Sequence, residues 1–178
     1  MSEREKGLEA SDLASRTEDL AGIHALEQAY GDLAWPVLRR QYLALGYAAG
    51  VERLTRLLSE RRWSPDALAG DPVAAVRDWL EGHFTDRGGA MPEIWAEETT
   101  VYLRTRGCRE CVTIEAEKTR PVGHREVCYV YCRAWAEGYV SVLADLAPGL
   151  QINYHNLDSR RDGAEHDCVE AFQVVAPR

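Results

Sequence analysis

The sequence has no long apolar run, no excess of basic residues and no motif that cradles a phosphate. No stretch of the 178 residues approaches the ~20 apolar residues of a membrane span, so we expect no membrane partner. The formal net charge of −8 argues against nucleic acid and anionic surfaces, which both require clustered Lys and Arg. The absence of a glycine-rich phosphate loop and of a GxSxG elbow argues against nucleotide enzymes and α/β-hydrolases.

The first residues also lack the apolar core of a secretory signal. The opening stretch MSEREKGLEASD is charged, and residues 1–18 predict a polar tail. We therefore expect a cytoplasmic protein in a reducing compartment. Its five cysteines are then expected to be thiols, metal ligands or nucleophiles rather than structural disulfides.

Hydrophobic periodicity predicts helices over residues 19–86. Apolar residues recur there at three- and four-residue steps, with a break expected near Leu33 to Trp35 because Pro36 follows. Gly46 and Gly50 mark either weak points or close helix contacts. Ser64-Pro65 and Asp71-Pro72 are helix start signals.

Residues 93–176 have a different, strand-rich pattern. Ile94 to Arg106 alternates with a period near two and predicts one strand. A long helix through Cys132 follows, and residues 150–157 and 168–175 predict two more strands. The sequence thus predicts a single α+β domain over residues 19–178, with N-terminal helices packed with a C-terminal antiparallel sheet and one long helix.

The pair Cys108 and Cys111 forms a lone CxxC. Such a pair occurs as half of a zinc site, as a redox pair, or as two ordinary thiols at a strand end. The chain lacks the second CxxC that a zinc ribbon needs, and the residues after Cys111 look extended rather than helical. These alternatives stay open.

Polar residues in the middle of a predicted strand indicate either a sheet edge or a pocket. The segment NYHN places Asn153 and His155 on one face of that strand. The residue types of His155, Asp158, His166 and Cys168 suit a zinc or iron site, and zinc is the cofactor they would favour. Cys132, on the helix, is a further candidate ligand.

Catalysis without a metal is the competing interpretation of the same residues. Cys132 or Cys168 could act as a nucleophile beside His155, since a thiolate needs a neighbouring base. Alternatively, His155 could activate water with Asp158 or Glu137 orienting it. Cys128 shares an apolar stripe and is read as core.

Aromatic residues are crowded into the C-terminal half. Most are expected in the core, as in any small domain, and some could wall a pocket for a small organic ligand. The candidates for such a wall are Tyr131, Trp135 and Tyr139.

Several short segments in a fixed order resemble a known family. These are ALEQAYGDLA, LGYAAG, VYLRTRGC, a helix bearing VYC, APGLQI and the ending DGAEHDCVEAF. Together they resemble the L-2-amino-thiazoline-4-carboxylic acid hydrolase-like family and, more distantly, the 4-vinyl reductase small-molecule-binding domain. The resemblance covers roughly residues 22 to 175 and implies a 4-vinyl reductase domain-like fold.

The resemblance also implies roles for individual residues. The recurring cysteines of the family fall on Cys108, Cys132 and Cys168, and its glycine before the last strand falls on Gly163. In the vinyl-reductase-like domains, the helix and C-terminal cysteines help to hold zinc.

The implied reaction is hydrolytic opening or rearrangement of a small heterocyclic or amide-like metabolite, and the alternative is a non-catalytic binding module. His155 would be the base, Cys132 or Cys168 the nucleophile or ligand, and Asn153, Tyr154 and Asn156 would bind substrate. The Arg- and Ala-rich composition suggests a GC-rich bacterial genome, where such enzymes serve small-molecule biosynthesis. A small-molecule substrate and a homodimer are the expected partners.

Overall fold

A computed structural model describes residues 20–87, 91–106, 128–158 and 167–176 of the chain. The predictions for the polar tail and for Cys108, Cys111, Gly163 and His166 lie outside these residues. Within them, no helix combines the length and the apolar character that crossing a bilayer requires.

The first two helices are separated by a short 3₁₀ turn. Helix α1 covers residues 20–30, the turn is Gly31–Leu33, and helix α2 is Ala34–Ser59. Gly31 adopts a φ of +57°, a backbone conformation that glycine reaches without a Cβ clash. The predicted break therefore exists, but it begins at Gly31, and Pro36 lies in the first turn of α2, where its missing N–H is tolerated.

Two further helices begin where the sequence predicts. Helix α3 is Asp66–Gly70, and Ser64 Oγ accepts a hydrogen bond from the Asp66 N–H at 3.2 Å. Helix α4 is Pro72–Arg87, and Asp71 Oδ1 accepts from the Ala74 N–H at 2.9 Å. Both side chains satisfy N–H groups that a helix start leaves without partners.

The predicted long C-terminal helix contains an irregular turn. A π-helical turn, Tyr129–Arg133, precedes the regular helix α5, Ala134–Ser141. A single π turn widens a helix locally and is frequent at functional sites. Cys132 belongs to this turn.

In the part of the chain that the structure describes, four antiparallel strands form one sheet in the order β1-β2-β4-β3. The strands are β1 Glu93–Glu97, β2 Thr100–Thr105, β3 Gln151–Asp158 and β4 Cys168–Val175. The predicted single strand Ile94 to Arg106 is wrong, because the chain reverses at Glu98 and Thr99 and pairs with itself. The two C-terminal strands are confirmed.

The core lies between the helices and one face of the sheet. Trp79 of α4, Leu143 after α5, Val101 of β2 and Phe172 of β4 are all almost fully buried there. A smaller apolar cluster joins α1, α2 and the π turn. The architecture is therefore α+β, with helices packed against a four-stranded antiparallel sheet, as predicted.

Candidate functional site

A cavity of about 780 Å³ lies between α2, α4, the helix that contains Cys132 and the inner face of the sheet. This volume falls within the range of pockets that hold small organic ligands. Its lining combines aromatic rings, thiols and a few charged groups. The lining includes Ala49, Glu52, Arg53, Arg56, His83, Phe84, Asp86, Cys128, Tyr131, Cys132, Trp135, Tyr139, Asn156, Cys168 and Glu170.

Three cysteines among the described residues line this cavity. Cys128 and Cys168 are buried and Cys132 is half-buried. Cys132 and Cys168, which are far apart in sequence, thus reach one cavity as predicted. Cys128, which we expected only in the core, also contributes to the cavity wall.

Strand β3 separates the predicted polar residues onto two faces. Asn153 and His155 are exposed on the outer face, whereas Tyr154 and Asn156 point inward. The expectation that His155 lies beside Cys132 in a sheltered pocket is therefore wrong. Ile152 lies on the same face of β3 as Tyr154 and packs against the core. The apolar Ile152 therefore determines that this face of the strand is the buried one.

Asn156 and Asp158 are both partly buried, with a bulge between them in the pairing with β4. Asn156 lines the cavity, whereas Asp158 does not. The bulge is an irregularity in the pairing of β3 with β4, and Asp158 lies beyond it at the end of β3.

The candidate metal ligands do not assemble. Within the described parts of the chain, no group of three or more His, Cys, Asp or Glu side chains could hold a metal ion. Cys132 and Cys168 line the cavity while His155 faces the other side of the sheet. These three residues therefore do not form the expected zinc site.

A polar cluster forms the sheet end of the cavity. The Tyr154 hydroxyl donates to Glu170 Oε1, and Arg133 Nη2 donates to Asn156 Oδ1 at 2.7 Å. Burial, together with the nearby negative charge of Glu170, raises the pKa of Tyr154. Tyr154 therefore positions Glu170, which lines the cavity, rather than contacting a ligand itself.

Stacked aromatic rings form the opposite wall. The Trp135 and Tyr139 rings are nearly parallel, with 5.0 Å between centroids, and Trp79 stacks on Tyr139 at 5.3 Å. The His83 ring lies 4.6 Å from Tyr139. Trp135, Tyr139 and Tyr131 thus line the cavity, and their role in binding a substrate stays a prediction. His83 was missed, although its spacing from Val76 and Leu80 puts it on the buried stripe of α4.

Tyr139 and Arg53 bring polar groups into this aromatic region. The Tyr139 side chain is 2% exposed, and burial raises its pKa to about 12 while the positive charge of Arg53 opposes the rise. Arg53 donates to the Trp79 carbonyl at 2.7 Å and to Asp86 at 3.3 Å. No sequence signal distinguished Arg53 from the exposed arginines of α2.

Fold and cavity together define an α+β domain with a ligand-sized cavity between its helices and its sheet. No model of a known protein family and no curated protein matches the chain. Among solved structures, the chain is similar to that of a trafficking protein particle complex subunit 3 from Naegleria fowleri covalently bound to palmitic acid. The TM-score is 0.61 and the identity 9%, over 96% of this chain and 99% of that chain. At that identity the likeness shows the fold alone.

Proposed function

We propose that this chain is a small-molecule-binding domain whose ligand occupies the cavity between the helices and the sheet. The observation that carries the proposal is the cavity of about 780 Å³ with a stacked aromatic wall. Binding sites for organic ligands are typically concave and mostly apolar, with a few convergent polar groups. Tyr139, Arg53, Asn156 and Glu170 supply such groups here.

The structural neighbour supports the binding of an organic molecule by this fold. That protein is described as covalently bound to palmitic acid, so a domain of this architecture can carry an organic molecule. In the present chain, three thiols line the cavity. The proposal also agrees with the binding-module alternative that the resemblance to the 4-vinyl reductase domain implies.

An experiment with neighbouring positions on α2 tests the proposal. Ala49 lines the cavity, whereas Ala48 is exposed. Ala49→Phe should fill part of the cavity and weaken binding of 2-acetylnaphthalene by roughly tenfold or more in equilibrium dialysis, since overlapping a ligand costs more than ~1.4 kcal/mol. Ala48→Phe adds the same ring outside the cavity and should leave binding unchanged.

Circular dichroism and thermal unfolding establish that both variants are folded. The proposal fails if the two variants bind the probe equally, because the probe would then lie elsewhere. It also fails if the wild-type chain binds neither 2-acetylnaphthalene nor 2-isopropenylnaphthalene, since both fit the space and match its aromatic wall.

A hydrolytic enzyme is the second candidate function. It is favoured by the presence of three thiols and His83 in the lining of one cavity, which His155 does not reach. In this reaction His83 would take the proton of the Cys132 thiol, and the thiolate would attack the carbonyl carbon of a cyclic or open amide or thioester. The C–N or C–S bond at that carbon would break to leave an acyl-Cys132 thioester, and the proton would return from His83 to the leaving nitrogen or sulfur. Water would then cleave the thioester to give an acid and the free thiol.

Turnover distinguishes the enzyme from the binding domain. With 4-nitrophenyl acetate as the probe, an enzyme should release 4-nitrophenolate over many cycles. Cys132→Ala and His83→Ala should each reduce that rate by ~10²-fold or more, as expected for loss of a nucleophile or base. A rate unchanged in both variants rules out this second candidate and leaves the binding domain untouched.

A further inference from the structure

The hydroxyl group of Tyr139 is buried without a hydrogen-bond partner. Its side chain is 2% exposed, and none of the described residues completes a hydrogen bond with its Oη atom, although the Arg53 guanidinium lies close enough to oppose the rise of its pKa. A buried polar group left unpaired destabilises a fold, and phenylalanine would bury the same ring without that penalty. Tyr139 lines the cavity, so a ligand bound there lies close to this hydroxyl group.

Arg53 adds fixed hydrogen-bond donors to the same region of the cavity. It is 9% exposed, and its guanidinium carbon lies 4.6 Å from the centroid of the Trp79 ring. Gly82 leaves the room for this arrangement, since a Cβ there would collide with Arg53 Nη2. The bonds from Arg53 to Trp79 and Asp86 hold the guanidinium in place. A guanidinium has N–H donors and no acceptor, so Arg53 favours a ligand oxygen that accepts a hydrogen bond.

The charges around this region cancel. Arg53 and Arg56 both donate to Asp86, at 3.3 and 2.8 Å, and Glu52 also lines the cavity. Two positive and two negative groups therefore face the space beside Arg53, and Glu170 adds a third carboxylate at the sheet end of the cavity. A ligand with a full negative charge would meet no net electrostatic attraction here. An uncharged acceptor oxygen binds through a hydrogen bond and does not depend on such an attraction.

The neighbouring surface favours a flat, aromatic ligand body. Trp135 continues the stack that begins at Trp79 and passes through Tyr139, and the His83 ring lies 5.3 Å from the Trp135 ring. Planar rings gain from stacking on such a wall beyond the area they bury.

We propose that Tyr139, assisted by Arg53, recognises the uncharged carbonyl oxygen of an aromatic ligand in this cavity. The inference rests on the proposed binding function and adds the chemical class of the ligand. The Tyr139 hydroxyl donates to the carbonyl oxygen, and the ring system of the ligand lies along the Trp135 wall.

Two naphthalenes of nearly equal shape test this recognition. 2-Acetylnaphthalene carries a carbonyl oxygen, and 2-isopropenylnaphthalene replaces that oxygen with a methylene group. In equilibrium dialysis, the wild-type chain should prefer the ketone by roughly three- to tenfold, as one buried hydrogen bond provides. Tyr139→Phe should abolish this preference while retaining affinity for the hydrocarbon. Tyr131→Phe, which changes another hydroxyl at the cavity, should keep the preference.

Stability of the unliganded chain provides a second readout. Tyr139→Phe should unfold at the same or a higher temperature than the wild type, because it removes an unsatisfied group. A fall in that temperature would assign the hydroxyl a structural role and overturn the inference.

Each binding outcome also decides a distinct point. Equal binding of the two probes by the wild type, or a preference that survives Tyr139→Phe, overturns the inference and leaves the binding function standing. Tighter binding of 2-naphthoate than of 2-acetylnaphthalene overturns the choice of an uncharged oxygen. If neither naphthalene binds, the proposed function itself fails, and the inference fails with it.

Discussion

The backbone carbonyl of Trp135 lies where Gly46 would carry a Cβ atom, so helices α2 and α5 meet backbone to backbone. The relationship is reciprocal, because a Cβ at Gly138 would overlap the carbonyl of Leu43. One turn further along α2, a Cβ at Gly50 would lie 2.7 Å from the carbonyl of Tyr139. This crossing holds the helix that carries Trp135 and Tyr139, and therefore places both rings in the cavity.

Substitution of Gly46 by alanine should destabilise the fold. The added methyl group meets backbone rather than a movable side chain, so the helices must separate, and overpacking of this kind typically costs about 1–3 kcal/mol or more. The free energy of unfolding, measured by urea denaturation, should fall accordingly. Gly22→Ala is the control, because nothing lies within 4 Å of its Cβ. There alanine should be neutral or stabilising by up to ~1 kcal/mol through helix propensity. Equal effects of the two substitutions would contradict the close crossing.

The parts of the fold that the sequence predicted correctly are those with a local signal. The helical repeat and the Ser64 and Asp71 start signals act over a few residues, and the structure confirms them. The β1–β2 hairpin was missed because Glu98-Thr99 lacks the Asn-Gly or Asp-Gly signature of a two-residue turn. Without that signal, two paired strands have the same alternation as one long strand.

The site was predicted in part, and the failures have a physical cause. Cys132 and Cys168 belong to elements whose inner faces are clearly apolar, so both reach the cavity. Strand β3 has polar residues on both faces, and its sequence pattern leaves undecided whether His155 or Asn156 faces inward. The pairing of Arg53 with Asp86 joins two helices that are distant in sequence, and no local pattern encodes it.

Replacing Glu98 by glycine should stabilise the chain. Glu98 has a φ of +52°, a conformation that is costly for a residue with a Cβ and free of that cost for glycine. We expect a gain of about 0.5–1 kcal/mol in the free energy of unfolding. Glu97→Gly is the control, because Glu97 lies in β1 and accepts a hydrogen bond from Trp95 Nε1 at 3.1 Å. That neighbouring substitution should destabilise the chain. A loss of stability in Glu98→Gly would argue against the observed turn.

Cys132 should react with N-ethylmaleimide before the other two cavity cysteines. It is half-buried, whereas Cys128 and Cys168 are buried and require local opening before a reagent reaches them. A difference in labelling rate of roughly tenfold or more corresponds to an opening cost above ~1.4 kcal/mol. Tandem mass spectrometry assigns the label to each cysteine, and labelling of the urea-unfolded chain gives the reference rates. Saturating 2-acetylnaphthalene should slow the reaction at Cys132. Equal native rates at all three thiols would contradict the described burial.

Alkaline pH should destabilise the chain through its buried tyrosines. The pKa of Tyr139 is raised to about 12 and that of Tyr154 is raised as well, so both hydroxyls stay protonated in the folded chain when an unfolded chain has begun to ionise. Below about pH 10 both hydroxyls are protonated in the folded and in the unfolded chain, so the tyrosines cause no loss of stability there. Above it the unfolded state binds fewer protons, and the free energy of unfolding falls by up to ~1.4 kcal/mol per pH unit for each tyrosine. For Tyr139 this loss continues to about pH 12.

Phenylalanine substitution separates this effect from general alkaline damage. Tyr139→Phe removes one of the two buried hydroxyls and should make the fall in unfolding free energy between pH 10 and 12 measurably shallower in urea titrations. Tyr30→Phe is the matched control, because Tyr30 is 63% exposed and its loss leaves both buried hydroxyls in place. The slope should therefore match that of the wild type. If the Tyr139→Phe slope is as steep as the wild-type slope, this hydroxyl ionises as readily in the folded chain as in the unfolded one. That result would contradict the raised pKa that its burial causes.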